Sequence, residues 1–158
     1  MGEPAATISH AEERWLDQIV SAYEWLFAPP GSRPPTWDPQ IARERLLAAM
    51  ESDDAAVLMA LRTGSVVGFC TAYLDLLSVR FGLRCWVEDL AVDPAARSRG
   101  VGAELLTAAR RWAAEHGASH LELDSAASRT DAHRFYEREG ANHHRSICFG
   151  WHGLDAKR

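Results

Sequence analysis

The chain has 158 residues, 47% of them apolar and 25% charged, with a net charge of −5. That length suits one domain, residues 1–158, with a real hydrophobic core, and the composition excludes a disordered chain or a membrane span. The mild acidic excess argues against a nucleic-acid partner and leaves room for a cationic one.

A short strand is expected at residues 5–8, with Ser9 as the N-cap of a helix over 12–27, because a hydroxyl there accepts from free helix N–H groups. Trp15, Leu16, Ile19, Val20, Tyr23, Leu26 and Phe27 recur at three- and four-residue spacing and give that helix one apolar face. Residues 28–39 hold five of the seven prolines, so this is a loop, either a stiff connector or one wall of a binding site. Asp38 and Pro39 then open a second helix to residue 51, with Ile41, Leu46, Leu47 and Met50 inward.

From Ala56 the pattern turns to β. The apolar runs 57–61 and 66–74 flank Arg62-Thr63-Gly64-Ser65 and read as a hairpin. A bend at 79–82 leads into a third strand, 83–92, to complete an antiparallel meander. A helix ending near His116 carries the stripe Leu105, Leu106, Ala109, Trp112 and Ala113, with Gly117 as its stop. A strand at 120–125, a helix at 130–139 ended by Gly140, and a last strand at 145–151 finish the order. The fold class is therefore α/β, with a mixed, mostly antiparallel central sheet flanked by helices. The strand–helix–strand unit over 83–125 should cross over right-handed and bring its two strands parallel.

Cys70, Cys85 and Cys148 all sit in strand-like apolar runs and lack C-x-x-C spacing, which reads as buried, reduced thiols. An odd cysteine count without a secretory signal fits the cytoplasm. No histidine or cysteine spacing suggests a metal.

Residues 87–114 organise the chain. An apolar run containing Glu88 and Asp89 leads through Asp93-Pro94 into Arg97-Ser98-Arg99-Gly100-Val101-Gly102, and then directly into an amphipathic helix. A helix start offers unpaired N–H groups and the positive end of the macrodipole, and glycines allow close approach, so a phosphate-bearing ligand suits this turn. Without the Gly-Lys-Ser/Thr of a P-loop, an unrelated nucleotide-phosphate binder is the weaker reading.

The stretch from Glu88 to Pro94, followed by Arg97 to Gly102, resembles the Q/R-x-x-G-x-G/A acyl-CoA signature of the GNAT superfamily of N-acetyltransferases. About thirty residues on, Asp131 to Gly140 is similar to the family's second signature helix with its tyrosine, here Tyr136. The resemblance implies a GNAT-like acyl-CoA N-acyltransferase fold and acetyl-CoA as acyl donor, with no metal. It places Leu90, Ala91 and Val92 along the pantetheine arm, on a strand that splays from its neighbour. Arg97, Ser98, Arg99, Gly100, Val101, Gly102 and Ala103 then form the pyrophosphate loop. Many members carry an asparagine seven residues before the tyrosine; Arg129 stands there in this chain and is a candidate cofactor contact. Members often pair through sheet edges or C-terminal strands, so a homodimer is also implied.

Amide formation from a thioester needs a neutral amine, and presenting a lysine-like amine (pKa about 10.4) neutral at pH 7 costs roughly 4–5 kcal/mol unless a base takes its proton. Glu88 is the favoured base, Asp89 the second candidate and Asp124 the third. Strand alternation puts Glu88 and Asp89 on opposite faces unless a bulge intervenes. Periodicity alone would bury Tyr136; the resemblance makes it the general acid that protonates the leaving sulfur. Trp25, Phe27, Trp37 and Trp86 are candidates for an aromatic acceptor wall. The expected activity is transfer of acetyl from acetyl-CoA to a primary amine of a small molecule or peptide, by direct attack in a ternary complex. The competing expectation is a non-catalytic acyl-CoA-binding regulatory module.

Overall fold

The computed structural model describes residues 2–154. Five strands lie in the order β1 (Thr7–His10), β2 (Ala55–Arg62), β3 (Ser65–Ser78), β4 (Gly82–Val92) and β5 (His120–Glu122). Neighbours from β1 to β4 are antiparallel, whereas β4 and β5 are parallel. That last pair is joined by α4 (Val101–Glu115), the crossover helix expected from the sequence.

The two faces of the sheet carry different helices because successive strand residues point opposite ways. Leu58, Ala60, Cys70, Ala72, Cys85 and Val87 meet Val101, Leu105, Ala109 and Trp112 of α4 on one face. On the other, Val57, Met59, Phe69 and Ala91 meet Leu16 and Ile19 of α1 (Leu16–Ala22) and Leu46 of α3 (Pro39–Glu51). Burying each of the larger side chains contributes about 1.5–3 kcal/mol, so the sheet is held from both sides.

Several boundaries differ from the sequence expectation. The first strand starts two residues later, and Ser9 pairs with Met59 in the ladder, so its hydroxyl is no helix cap. The expected helix over 12–27 is instead a 3₁₀ turn (Glu13–Trp15), α1 and a short α2 (Glu24–Phe27), tightened at Tyr23. The reason is tertiary: the Tyr23 ring packs on Phe69 with centroids 4.8 Å apart and on Trp37 at 5.1 Å.

Asp38 caps α3 as expected, accepting from the N–H groups of Gln40 and Ile41 at 2.8 and 3.2 Å. Ile41 itself is exposed, because the buried face of α3 runs through Ala42, Leu46 and Ala49, one residue round the helix. Asp38→Ala should lower stability by about 1 kcal/mol, measurable as a shifted urea midpoint at unchanged slope.

The C-terminal expectation fails most clearly. Residues 145–151 form no strand: Ile147, Phe149 and Trp151 are 82%, 78% and 79% exposed, and Cys148 is exposed too. Alternation is present, but a strand needs a partner, and β5 keeps only three residues, all paired with β4. Cys70 and Cys85 are buried as expected. Burial raises both thiols, Cys85 to about 11, so they stay protonated at neutral pH.

Candidate active site

The β4–β5 pairing stops at Trp86↔Glu122, while β4 runs on to Val92. The strands therefore part, and a stretch of β4 loses its partner on that side. The N–H of Asp93 donates to Val67 O on β3 at 2.9 Å. Since backbone groups alternate sides along a strand, Leu90 and Val92 direct theirs away from β3 and into the gap. Consistently, Val92 O accepts from Arg97 Nε at 3.2 Å on that side.

The turn that follows leaves backbone N–H groups of a kind that suits an anion. The Asp93 carboxylate accepts from Ala95 N–H at 2.9 Å and closes a 3₁₀ turn over Pro94–Ala96. Ser98 and Gly100 then take φ of 62° and 83°, left-handed conformations that turn the chain sharply ahead of α4. Gly100 is the N-cap of α4 and no side chain caps that helix, so its first N–H groups and its positive end are left for a ligand.

These elements line one groove of about 940 Å³. Leu90, Ala91, Val92, Arg97, Ser98, Gly100, Val101, Gly102 and Ala103 all border it, as do Arg129 and Tyr136. Arg99 does not: its guanidinium pairs with Glu3 on the far side of the turn. The groove's further wall is made by Trp25 of α2, one of the candidate aromatic residues, and by residues that the sequence reading missed: Leu26 of α2, Ser128, and Arg134 and Arg138 of α5 (Thr130–Arg138). The i, i+4 spacing of Arg134 and Arg138 with Tyr136 between them was a visible signal for the last two.

Arg129 donates to Leu26 O at 2.8 Å, tying the start of α5 to α2 across the groove. Part of the donor capacity of this candidate cofactor contact is thus already used within the protein. Tyr136 is half-buried, and burial, with the neighbouring Cys70 adding and Arg129 opposing, pushes its hydroxyl above the usual tyrosine range. At neutral pH it is a protonated donor.

The two carboxylates owe their placement to a bulge. Thr71 of β3 faces Asp89, and the next residue, Ala72, faces Val87, so Glu88 has no partner of its own. Val87 packs on the α4 face and Ala91 on the α1–α3 face, which shows that the side-chain alternation of β4 is reset between them. Glu88 and Asp89 consequently share the α1–α3 side. Glu88 is exposed and accepts from Trp86 Nε1 at 2.7 Å. The Trp86 ring is in turn covered by Arg84, 4.9 Å from its centroid and bound by both carboxylate oxygens of Asp75. Asp124 is exposed, and like Glu88 and Asp89 it is not among the residues that border the groove.

Asp89 is inside. Its Oδ2 accepts from Tyr23 Oη at 2.8 Å and from Thr71 Oγ1 at 2.7 Å. Burial raises its carboxyl above the ordinary range, with those two hydrogen bonds opposing and the Glu88 charge adding. The folded state therefore binds this proton more tightly than the unfolded chain. The linked stability is complete below the unfolded aspartate value of about 3.9 and is lost as pH rises through the folded one. Asp89→Asn should accordingly raise Tm at about pH 7–8, and thermal melts should show the gain shrinking as the buffer approaches about pH 4.

The loop at 28–39 folds over this side. Trp37 stacks edge-on against Phe27 with centroids 4.8 Å apart, and Arg33 reaches both Glu24 and the Phe27 ring. Trp25, in contrast, turns toward the groove, so the four candidate aromatic residues do not form one wall.

Comparison with known proteins agrees with this geometry. Residues 16–141 match the family described as the acetyltransferase (GNAT) family. Over 103 residues, the chain is 34% identical to an uncharacterized N-acetyltransferase of Bacillus subtilis (strain 168), YhfO, covering 65% of this chain and 69% of that protein. It is 33% identical over 103 residues to the aminoalkylphosphonate N-acetyltransferase of Salmonella typhimurium, covering 65% and 67%. Among solved structures, the aminoglycoside acetyltransferase AAC(6')-Iy with a bisubstrate analogue shares the fold at a TM-score of 0.82 and 18% identity, over 96% of this chain and all of that one. The chain belongs to the GNAT family of acetyltransferases.

Proposed function

We propose that this protein acts as a single-domain, cytoplasmic N-acetyltransferase that moves the acetyl group of acetyl-CoA to a primary amine of a small molecule or peptide by direct attack in a ternary complex. The observation that carries this reading is the continuity of one groove, from the uncapped start of α4 to the parted β4 strand at Leu90, the residue that follows Glu88 and Asp89 in sequence. Pyrophosphate oxygens suit the N–H groups of residues 97–103, and Arg97 adds charge to a protein that is otherwise acidic. The groups that Leu90 and Val92 turn into the gap suit the amides of the pantetheine arm, as an added strand would.

Attack then forms the N–C bond and breaks the C–S bond. A backbone N–H of the free β4 segment meets the developing oxyanion, a type of contact worth about 2.7–4 kcal/mol. Glu88, directly or through a water, takes the amine proton, with Asp89 as the alternative base. Tyr136, kept protonated by burial, gives its proton to the departing sulfur. Cys70 and Cys85, buried and protonated, have no part in carrying the acyl group.

The acceptor panel for testing includes an aminoalkylphosphonate and an aminoglycoside, since a relative and a fold neighbour are named for them, together with polyamines and peptide amines. Calorimetry should show one acetyl-CoA per chain, and thiol release should appear with at least one amine; folded protein that binds no acetyl-CoA overturns the reading. The exposed alternation of Ile147, Phe149 and Trp151 supports a homodimer as part of the proposal, because a large exposed apolar strip is unusual on a monomer. Light scattering should then give twice the chain mass, reverting to one chain in an Ile147→Asp, Phe149→Asp double variant.

A further inference from the structure

The bulge at Glu88 must be held. Without the bulge β4 would alternate simply and place Glu88 and Asp89 on opposite faces, one of them on the apolar α4 face. Thr71 sits directly across from Asp89, has no exposed surface and is a polar residue in an otherwise apolar core. Its Oγ1 accepts from the Asp89 N–H at 3.1 Å and donates to Asp89 Oδ2 at 2.7 Å. One hydroxyl thus grips both the main chain and the side chain of the residue after the bulge. Tyr23, at the tightened junction of α1 and α2, donates to the same Oδ2 at 2.8 Å.

A carboxylate, a phenol and a hydroxyl are a costly way to fill a core, since apolar residues of like volume often stabilise such a site as well or better. We infer that Tyr23 and Thr71 are positioning residues for acetyl transfer: they clamp Asp89 and so fix the bulge that presents Glu88 at the parted strand. This rests on the reading of Glu88 as the base.

Thr71→Val removes the hydroxyl at nearly constant volume and Thr71→Ser keeps it, while Tyr23→Phe deletes the second donor and retains the ring against Phe69. Expected is a fall in kcat of about ten-fold for Thr71→Val and Tyr23→Phe, with the Kd for acetyl-CoA unchanged within about two-fold and Thr71→Ser close to the parent. Two results overturn the inference: Thr71→Val or Tyr23→Phe at parental kcat, or Thr71→Ser failing as badly as Thr71→Val. A drop in kcat accompanied by weakened acetyl-CoA binding also overturns it, since that is general loosening of the sheet. Glu88→Gln, measured beside them, separates the two ideas: parental kcat in that variant removes Glu88 as base, whereas the clamp stands or falls on valine against serine at position 71.

Discussion

Glu88→Gln is expected to lower kcat for acetyl transfer about ten-fold or more, and Tyr136→Phe to do the same, with acetyl-CoA affinity nearly unchanged in both. The reasoning is that neither side chain contributes to holding the nucleotide end. Glu88 is exposed, with Oε2 occupied by Trp86, and a glutamine there keeps the shape while losing the ability to take a proton. Phenylalanine at 136 keeps the packing beside Phe135 and loses the O–H proposed to donate to the sulfur. Such changes act on the transition state alone, so kcat and kcat/KM should fall together. Isothermal calorimetry for the donor and steady-state thiol release for turnover give the two numbers needed. If Asp89→Asn abolishes turnover while Glu88→Gln does not, the base is the buried carboxylate, whose raised pKa would place the acid limb of the rate profile above the ordinary aspartate range. If both glutamine and phenylalanine variants turn over normally, the assigned acid–base pair is wrong.

How far the sequence disclosed this site depends on whether a feature is local. Asp38 with Pro39, the Arg97–Gly102 turn and the apolar stripe of α4 are written within a few residues of one another, and each appears where the spacing placed it. The bulge is not local. It is a relation between Thr71–Ala72 and Val87–Asp89, and residues 87–92 by themselves read as an ordinary strand with alternating faces. Tyr23 was legible only as part of an apolar helical face; its hydroxyl's partner lies 66 positions away. The C-terminal run shows the opposite failure: Ile147, Phe149 and Trp151 carry strand periodicity, yet periodicity states which face would be buried and supplies no neighbour to bury it.

Gly68→Val is expected to destabilise the fold by about 1–3 kcal/mol through overpacking and to weaken acetyl-CoA binding at the same time. Gly68 lies in β3 beneath the start of α4. A Cβ built there would stand 3.0 Å from Leu105 Cδ1, 3.1 Å from Ala91 O and 3.1 Å from Val101 Cγ1. The first of these is the end of a flexible side chain, but the carbonyl belongs to β4 and Val101 is the first residue of the uncapped helix. A side chain at 68 must therefore push the α4 N-terminus away from the sheet, and a glycine inside a strand is the sequence mark of such a close approach. The N–H groups of the anion turn ride on that helix start, so their displacement reaches the phosphates without any change in the turn's own sequence. Valine should thus weaken acetyl-CoA binding by about ten-fold or more and alanine by less, in the same order as their losses in Tm. By contrast, Gly64→Ala, at a hairpin turn with nothing within 4 Å of a built Cβ, should cost stability through its positive φ alone and leave the donor affinity intact. Gly68→Val that melts early but binds acetyl-CoA as tightly as the parent would show that the helix start is not held by the sheet beneath it.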